Sequence, residues 1–241
     1  MAVLAAIGVS PQVAFAIPDD FRVFGDDIAD RGEIGVELQA ATGRSQSRGS
    51  GVRSTERQGL AEISYGILPN AELSAQLPVV WRDGQWRANG VNLEAQYIAP
   101  HEKRGIYLGA RIEVARSTAP QGVESRTSFE IRPILGYRDS DWELILNAAT
   151  RKALGGESRR WKLEPSIKIS ADAGRGVRLG LEGYSNLGNE GSFSKSDRSS
   201  IGLLAIDLRV AKVQINVGVG RSWGGDRGGP IVKSVVALDF D

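Results

Sequence analysis

The chain contains no cysteine, one histidine and one methionine. The missing cysteine excludes disulfides, zinc–thiolate sites, iron–sulfur clusters and a thiol nucleophile. A single histidine, His101, leaves no room for a multi-histidine metal site, and any imidazole catalysis would depend on that one residue. There is no run of about 18 apolar residues, so no helix of this sequence can cross a bilayer. An excess of one charge is also missing: 30 Lys and Arg stand against 29 Asp and Glu, which gives no overall field for nucleic acid. Hydrophobic residues reach only 41%, while glycine, at 30 of 241 residues, is plentiful.

The apolar stretch at the start, residues 1–16, ends in Ala14-Phe15-Ala16. Small residues in this spacing fit signal-peptidase cleavage before Ile17, although the usual basic leader is missing. The rival reading is a buried N-terminal helix. The abrupt rise in charge at Asp19, Asp20, Arg22, Asp26 and Asp27 favours cleavage. The expected organisation is therefore a signal-peptide remnant over 1–16, a periplasmic N-terminal segment over 17–31, and one folded unit over 32–241.

From residue 32 onward, apolar residues alternate with polar or small ones. The clearest runs are Ile34/Val36/Leu38/Ala40, Ala61/Ile63/Tyr65/Ile67, Ile106/Leu108/Ala110/Ile112/Val114 and Val213/Ile215/Val217/Val219. Twelve such segments can be read along the chain. Strict alternation means strands with one apolar and one polar face. The connections alternate as well. Short turns at Leu68-Pro69-Asn70, 100–104, 138–141, 172–175 and Ala211-Lys212 trade places with longer Gly-, Ser- and Arg-rich stretches at 43–57, 82–87, 117–125, 154–159, 188–198 and 224–229. This is the pattern of an up-and-down meander.

A soluble meander would turn its apolar faces inward. Twelve strands bearing mostly Ala, Val, Ile and Leu would underfill so wide a barrel, since about eight strands already fill their own interior. The polar face also carries ionisable residues at mid-strand. If the N-terminus is periplasmic, Trp81, Trp161 and Trp223 fall at the outer strand ends, and Tyr65, Tyr97, Tyr137, Trp142 and Phe240 at the inner ends. Two aromatic girdles on the apolar face match a membrane barrel. The expected fold is therefore all-β: a single up-and-down antiparallel transmembrane β-barrel of about twelve strands in the outer membrane of a Gram-negative bacterium. Pro133 and Pro165 fall inside proposed strands, where a missing N–H calls for a bulge or a local break.

In this register, the expected lumen-lining residues are Glu62, Glu94, Arg111, Glu113, Glu130, Arg132, Glu164, Lys168, Arg178 and Glu182. They fit either a solute-selective constriction or an ion-pair network that closes the lumen. The outer connections are rich in arginine, which binds phosphate bidentately. Arg82, Arg87, Arg159 and Arg160 are therefore expected to face lipopolysaccharide. His101 sits in a short turn with Glu102, Lys103 and Arg104, on the opposite end from where a lipid-cleaving site would lie, and it is read as non-catalytic. The glycine-rich stretch at 218–229 lacks the Lys-Ser/Thr ending of a phosphate loop. No cofactor, no metal and no enzymatic activity are expected.

The stretch Glu62-Ile63-Ser64-Tyr65-Gly66-Ile67-Leu68-Pro69-Asn70-Ala71-Glu72-Leu73, with Leu163-Glu164-Pro165-Ser166-Ile167 and 181–188, resembles proteobacterial outer-membrane barrels labelled as "MetA-pathway of phenol degradation" proteins or porin-like transporters. The resemblance implies export or passage of small organic molecules and carries no functional residue. The sequence thus points to a narrow pore or transport conduit for small solutes in contact with outer-membrane lipid and lipopolysaccharide. The alternative is a structural barrel closed by its own ion pairs, and an outer-membrane enzyme comes third.

Overall fold

A computed structural model describes residues 20–47, 53–118, 126–155, 160–191, 198–224 and 227–240. The strands are β1 (Ile34–Ser47), β2 (Arg53–Leu68), β3 (Ala71–Arg82), β4 (Gln85–Ala88), β5 (Gly90–Ile98), β6 (Gly105–Ser117) and β7 (Arg126–Arg138). They continue with β8 (Trp142–Ala153), β9 (Trp161–Gly174), β10 (Val177–Asn186), β11 (Ser199–Val210), β12 (Val213–Gly224) and β13 (Arg227–Phe240). With β4 set aside, each strand pairs antiparallel with the next, β3 pairing with β5, and β1 pairs with β13, so the sheet closes on itself. Twelve strands form the ring. The extra one, β4, pairs with the far end of β3 and runs on into β5 after a break at Asn89. Closure leaves the ring without an open sheet edge, which a strand assembly in lipid requires.

The phase of each strand follows the alternation read in the sequence. Leu38, Ile63, Leu93, Leu108, Leu181 and Leu204 are more than half exposed on the outside, whereas Glu62, Glu94, Arg111, Glu113, Glu130 and Glu182 are buried inside. An exterior band of this kind is unfavourable in water and favourable in hydrocarbon. Aromatic residues sit at both edges of the band. Tyr65 and Phe240 flank Ile34 across their ladders at one end, and Trp81 faces Trp86 at the other. Trp86 completes a girdle from which the sequence reading omitted it.

Several expectations on connections are revised. The stretch 43–57 is not all loop: the β1–β2 ladder runs on to Gln46 and Arg53. Likewise, 82–87 forms a tight hairpin, with Asp83 and Gly84 both at positive φ. The prolines have separate solutions. Beside Pro133, the ladder to β8 lapses between Ile131 and Ile134 and resumes in the same register. Beside Pro165, the β9–β10 ladder ends at Ser166 and returns one residue out of step as the Lys162–Asn189 bridge.

Residues 20–31 depart most from expectation. The sequence reading set this segment in the periplasm, but its described part runs inside the barrel. Phe21, Val23 and Phe24 are buried against inward-facing Ile98, Tyr107, Ile134, Ile145, Tyr184 and Ile231. These wall residues are apolar side chains in the otherwise polar phase, and they form a grip for the segment.

Candidate functional site

The lumen and the segment that fills it form the candidate site. Residues 20–30 have an extended backbone with no strand beside them, so their N–H and C=O groups need partners from the wall. Side chains supply these. Phe21 N–H donates to Gln39 Oε1 at 3.0 Å. Phe21 O accepts from Tyr184 Oη at 2.8 Å and from Lys233 Nζ at 2.7 Å. Asn147 grips both backbone polar groups of Phe24, its Oδ1 accepting from Phe24 N–H at 2.8 Å and its Nδ2 donating to Phe24 O at 2.9 Å. Gln96 Nε2 donates to Gly25 O at 3.1 Å, and Ala29 N–H donates to Glu72 Oε2 at 2.8 Å. Pairing of backbone with backbone begins only where the segment leaves the barrel, at Gly32 and Gly66. There Gly66 is required, because a Cβ would overlap the carbonyl of Asp30.

Ion pairs hold the segment laterally. Arg22 reaches Glu37 at 2.9 Å, Asp26 takes two bonds from Arg138, and Asp20 lies 3.7 Å from Arg111. Burial opposes a charge on Arg22, but Glu37, Glu62, Glu72 and Asp27 surround it and hold its pKa above the ordinary guanidinium value. Three guanidinium groups surround the Phe24 ring, with Arg111 closest at 3.6 Å from the centroid, then Arg132 at 4.8 Å and Arg22 at 5.4 Å. Cation–π attraction of this kind strengthens once water is excluded.

Beyond the segment, toward the end bearing the longer connections, the wall is laced with charge pairs. Register places Glu94, Glu113, Glu130, Arg151 and Lys162 in one lateral row over five strands. Arg151 lies 3.4 Å from Glu113 and 3.0 Å from Glu130, and Arg132 lies 2.8 Å from Glu130. Arg111 pairs with Glu94 and lies 3.9 Å from Glu62. On the opposite wall, Lys168 bridges Asp207 at 2.7 Å and Glu182 at 3.8 Å, and Glu182 pairs with Lys233. Lys162 holds Glu164 at 2.7 Å, and Arg178 lies 3.9 Å from Glu143. All ten residues expected in the lumen therefore project inward. Five buried polar atoms, including Glu94 Oε1 and Asn216 Oδ1, have no hydrogen-bond partner among the described residues.

Above this row, a vestibule of about 810 Å³ opens outward. Its described lining includes Arg126, Arg151, Arg160, Lys162 and Asn189, and no carboxylate. Smaller cavities of about 170 and 270 Å³ flank the segment on its other side.

Of the four arginines expected to face lipopolysaccharide, three lie among the described residues. Arg159 lies outside the described residues. Arg160 lines the vestibule. Arg82 pairs with Gln85, and Arg87 pairs with Val80. Alternation puts all four of these hairpin residues on the face away from Trp81 and Trp86, which look out to lipid. Lys233, fully buried at the centre of the grip, was missed by the sequence reading, as were Gln39, Gln96 and Asn147. Their signal was available as amide and lysine side chains in the inward phase. His101 Nε2 lies 3.0 Å from Asp26 Oδ2, and Nδ1 lies 3.0 Å from Ala99 O, so the residue is occupied with the segment.

No family model matches this chain, and no curated protein matches it. Solved structures do. An outer membrane channel from Pseudomonas putida F1 superposes with a TM-score of 0.67 at 14% identity, over 89% of this chain and 97% of that one. The KdgM porin in complex with disordered oligogalacturonate gives a TM-score of 0.58 at 10% identity, over 86% and 99%. The translocator domain of the autotransporter NalP from Neisseria meningitidis gives 0.52 at 12% identity, over 89% and 91%. The chain therefore has the fold of a bacterial outer-membrane β-barrel, and its apolar exterior band places it in that membrane.

Proposed function

We propose that the protein is an outer-membrane conduit for small solutes whose lumen is closed at rest by its own segment 20–30. One observation carries this reading. Among the described residues, the segment is held by side-chain hydrogen bonds and ion pairs, while its backbone makes no hydrogen bond to a wall strand before Gly32. A segment built into the ladder would be permanent. One held by side chains can withdraw without opening the barrel, because the ring of twelve strands closes without it.

Two further points support passage. The resemblance around residues 62–73 is to porin-like barrels of the phenol-degradation label, and the similar folds include a channel and a porin. The described vestibule lining has cations but no carboxylate, which favours small anionic solutes by raising their local concentration. His101 in this reading is a contact for the segment and not a base.

The test is a deletion of residues 20–30, with folding checked by heat-modifiable gel mobility, followed by planar-bilayer recording. The deletion should raise conductance sharply, with anions favoured in a salt gradient. A folded deletion variant that stays silent would establish the other reading, a structural barrel sealed by the row from Glu94 to Lys162.

A further inference from the structure

The lipid-facing phase of the strands carries a one-sided charge. Within the described side chains of β1 to β13, it bears no aspartate and no glutamate at all. Its only ionised residues are Arg44, Arg57, Arg116, Lys152 and Arg221. All five lie at the strand ends near the longer connections. Register fixes their positions: Arg57 is level with Thr42, Arg116 with Val91 and Thr127, Lys152 with Phe129 and Trp161, and Arg221 with Gly202 and Pro230. At the opposite end, the same phase ends in Tyr65, Tyr97, Tyr137, Trp142 and Phe240 with no ionised residue.

Two of the five are pinned by aromatic rings of the girdle. The Arg57 guanidinium lies 5.7 Å from the Trp81 ring centroid, and Lys152 Nζ lies 5.4 Å from that of Trp161. None of the five has an ion-pair partner among the described residues. A long cationic side chain at the hydrocarbon edge extends its charge to the polar boundary. Five such charges with no ion-pair partner among the described residues call for an external anion. A bilayer with phosphate on both surfaces would call for cations on the lipid-facing phase at both strand ends, and among the described residues only the loop end has them, the exposed Lys103, Arg104, Arg175 and Lys212 of the other end lying in turns.

We infer that this collar binds a phosphorylated glycolipid of the lipopolysaccharide type, confined to the leaflet at the loop end. Arg44, Arg57, Arg116 and Arg221 present guanidinium forks to its phosphates, Lys152 adds a point charge, and the tryptophans lie against its acyl-to-sugar boundary. These are not the arginines the sequence alone singles out. Arg82, Arg87 and Arg160 belong to the mouth, whose charge faces entering solute. The inference rests on the outer-membrane placement and is independent of whether the lumen conducts.

The test compares two charge-removed variants purified from lipopolysaccharide-bearing membranes. The collar variant carries Arg57→Gln, Arg116→Gln, Lys152→Gln and Arg221→Gln. The mouth variant carries Arg82→Gln, Arg87→Gln and Arg160→Gln. Lipopolysaccharide phosphate per folded barrel should fall several-fold in the collar variant and stay at the parent level in the mouth variant. Should the collar variant fold poorly, Arg116→Gln with Arg221→Gln, which touches no ring contact, gives the same comparison. In addition, the parent barrel reconstituted in phosphatidylcholine vesicles should take up added lipid A, and the paired variant should take up less. Equal glycolipid in the collar variant and the parent would overturn the inference, as would equal loss from the mouth variant.

Discussion

Single side chains decide whether the lumen is a cavity or a closed core. Lys233 is the clearest case, since one ammonium meets Glu182, the Tyr184 hydroxyl and the Phe21 carbonyl. Removing one partner of a buried pair leaves the other uncompensated, at a cost of about 3–5 kcal/mol. Lys233→Met should therefore lower resistance to urea unfolding by an amount in that range and also loosen the segment, seen as faster proteolysis of the N-terminal region in intact vesicles. Asn147→Ala removes the two bonds to Phe24 and one weaker bond from the Ser166 hydroxyl, but no buried charge, so it should release the segment with a smaller loss of barrel stability. If both variants behave like the parent protein in proteolysis, the wall does not hold the segment in place.

At the scale of the strand, each element serves two environments. Leu108 and Leu179 face lipid near mid-height, while Arg111 and Glu182, a few residues along the same strands, face inward. An arginine placed on the lipid side near the midplane should cost about 2–4 kcal/mol. Leu108→Arg and Leu179→Arg should each show that loss when folding into vesicles is titrated with urea. A conservative Leu108→Ile should fold as the parent does. The turns show how local chemistry fixes where strands stop. Asp139 accepts the Trp142 and Asp141 N–H groups, and these bonds hold its carboxyl below the usual carboxylate range. Within the wall, Tyr107 lies flat over Gly136 on the neighbouring strand, where any larger residue would overlap the ring. This pairing of an aromatic ring with a bare glycine sets the shelf on which Phe24 and Ile145 pack.

At the scale of the whole molecule, the ring and the segment are separable. Ladder bonds close the ring, while the segment is joined to it through side chains and the covalent link at Arg31. Deletion of residues 20–30 should therefore leave a folded, heat-modifiable barrel with reduced stability. It would leave Arg111 with Glu62 and Glu94 as its ion-pair partners after the loss of Asp20. The molecule is also polar along its long axis. One end has short turns and an aromatic girdle without charge on the lipid side. The other has long connections, a vestibule whose described lining has no carboxylate, and the cationic collar.

The sequence by itself determined the twelve strands of the ring, the meander order, the side of each of them that meets lipid and the two aromatic rims. These follow from alternation, which is local: a residue and its second neighbour share a face whatever the rest of the chain does. The inward set from Glu62 to Glu182 was legible for the same reason. Which acid pairs with which base was not, because partners such as Lys233 and Glu182 stand 51 positions apart and meet only when the sheet closes. The fate of residues 20–31 was hidden too. A short charged segment with two phenylalanines has no periodicity to read, and its place is set by Asn147, Gln39, Gln96 and Lys233 converging from separate strands. Tertiary structure also separates the arginines by face, since Arg82 lies on the phase away from Trp81 while Arg57 of the adjacent β2 lies over the Trp81 ring. Alternation gives a residue its face, but only closure of the ring decides which residues share an interior.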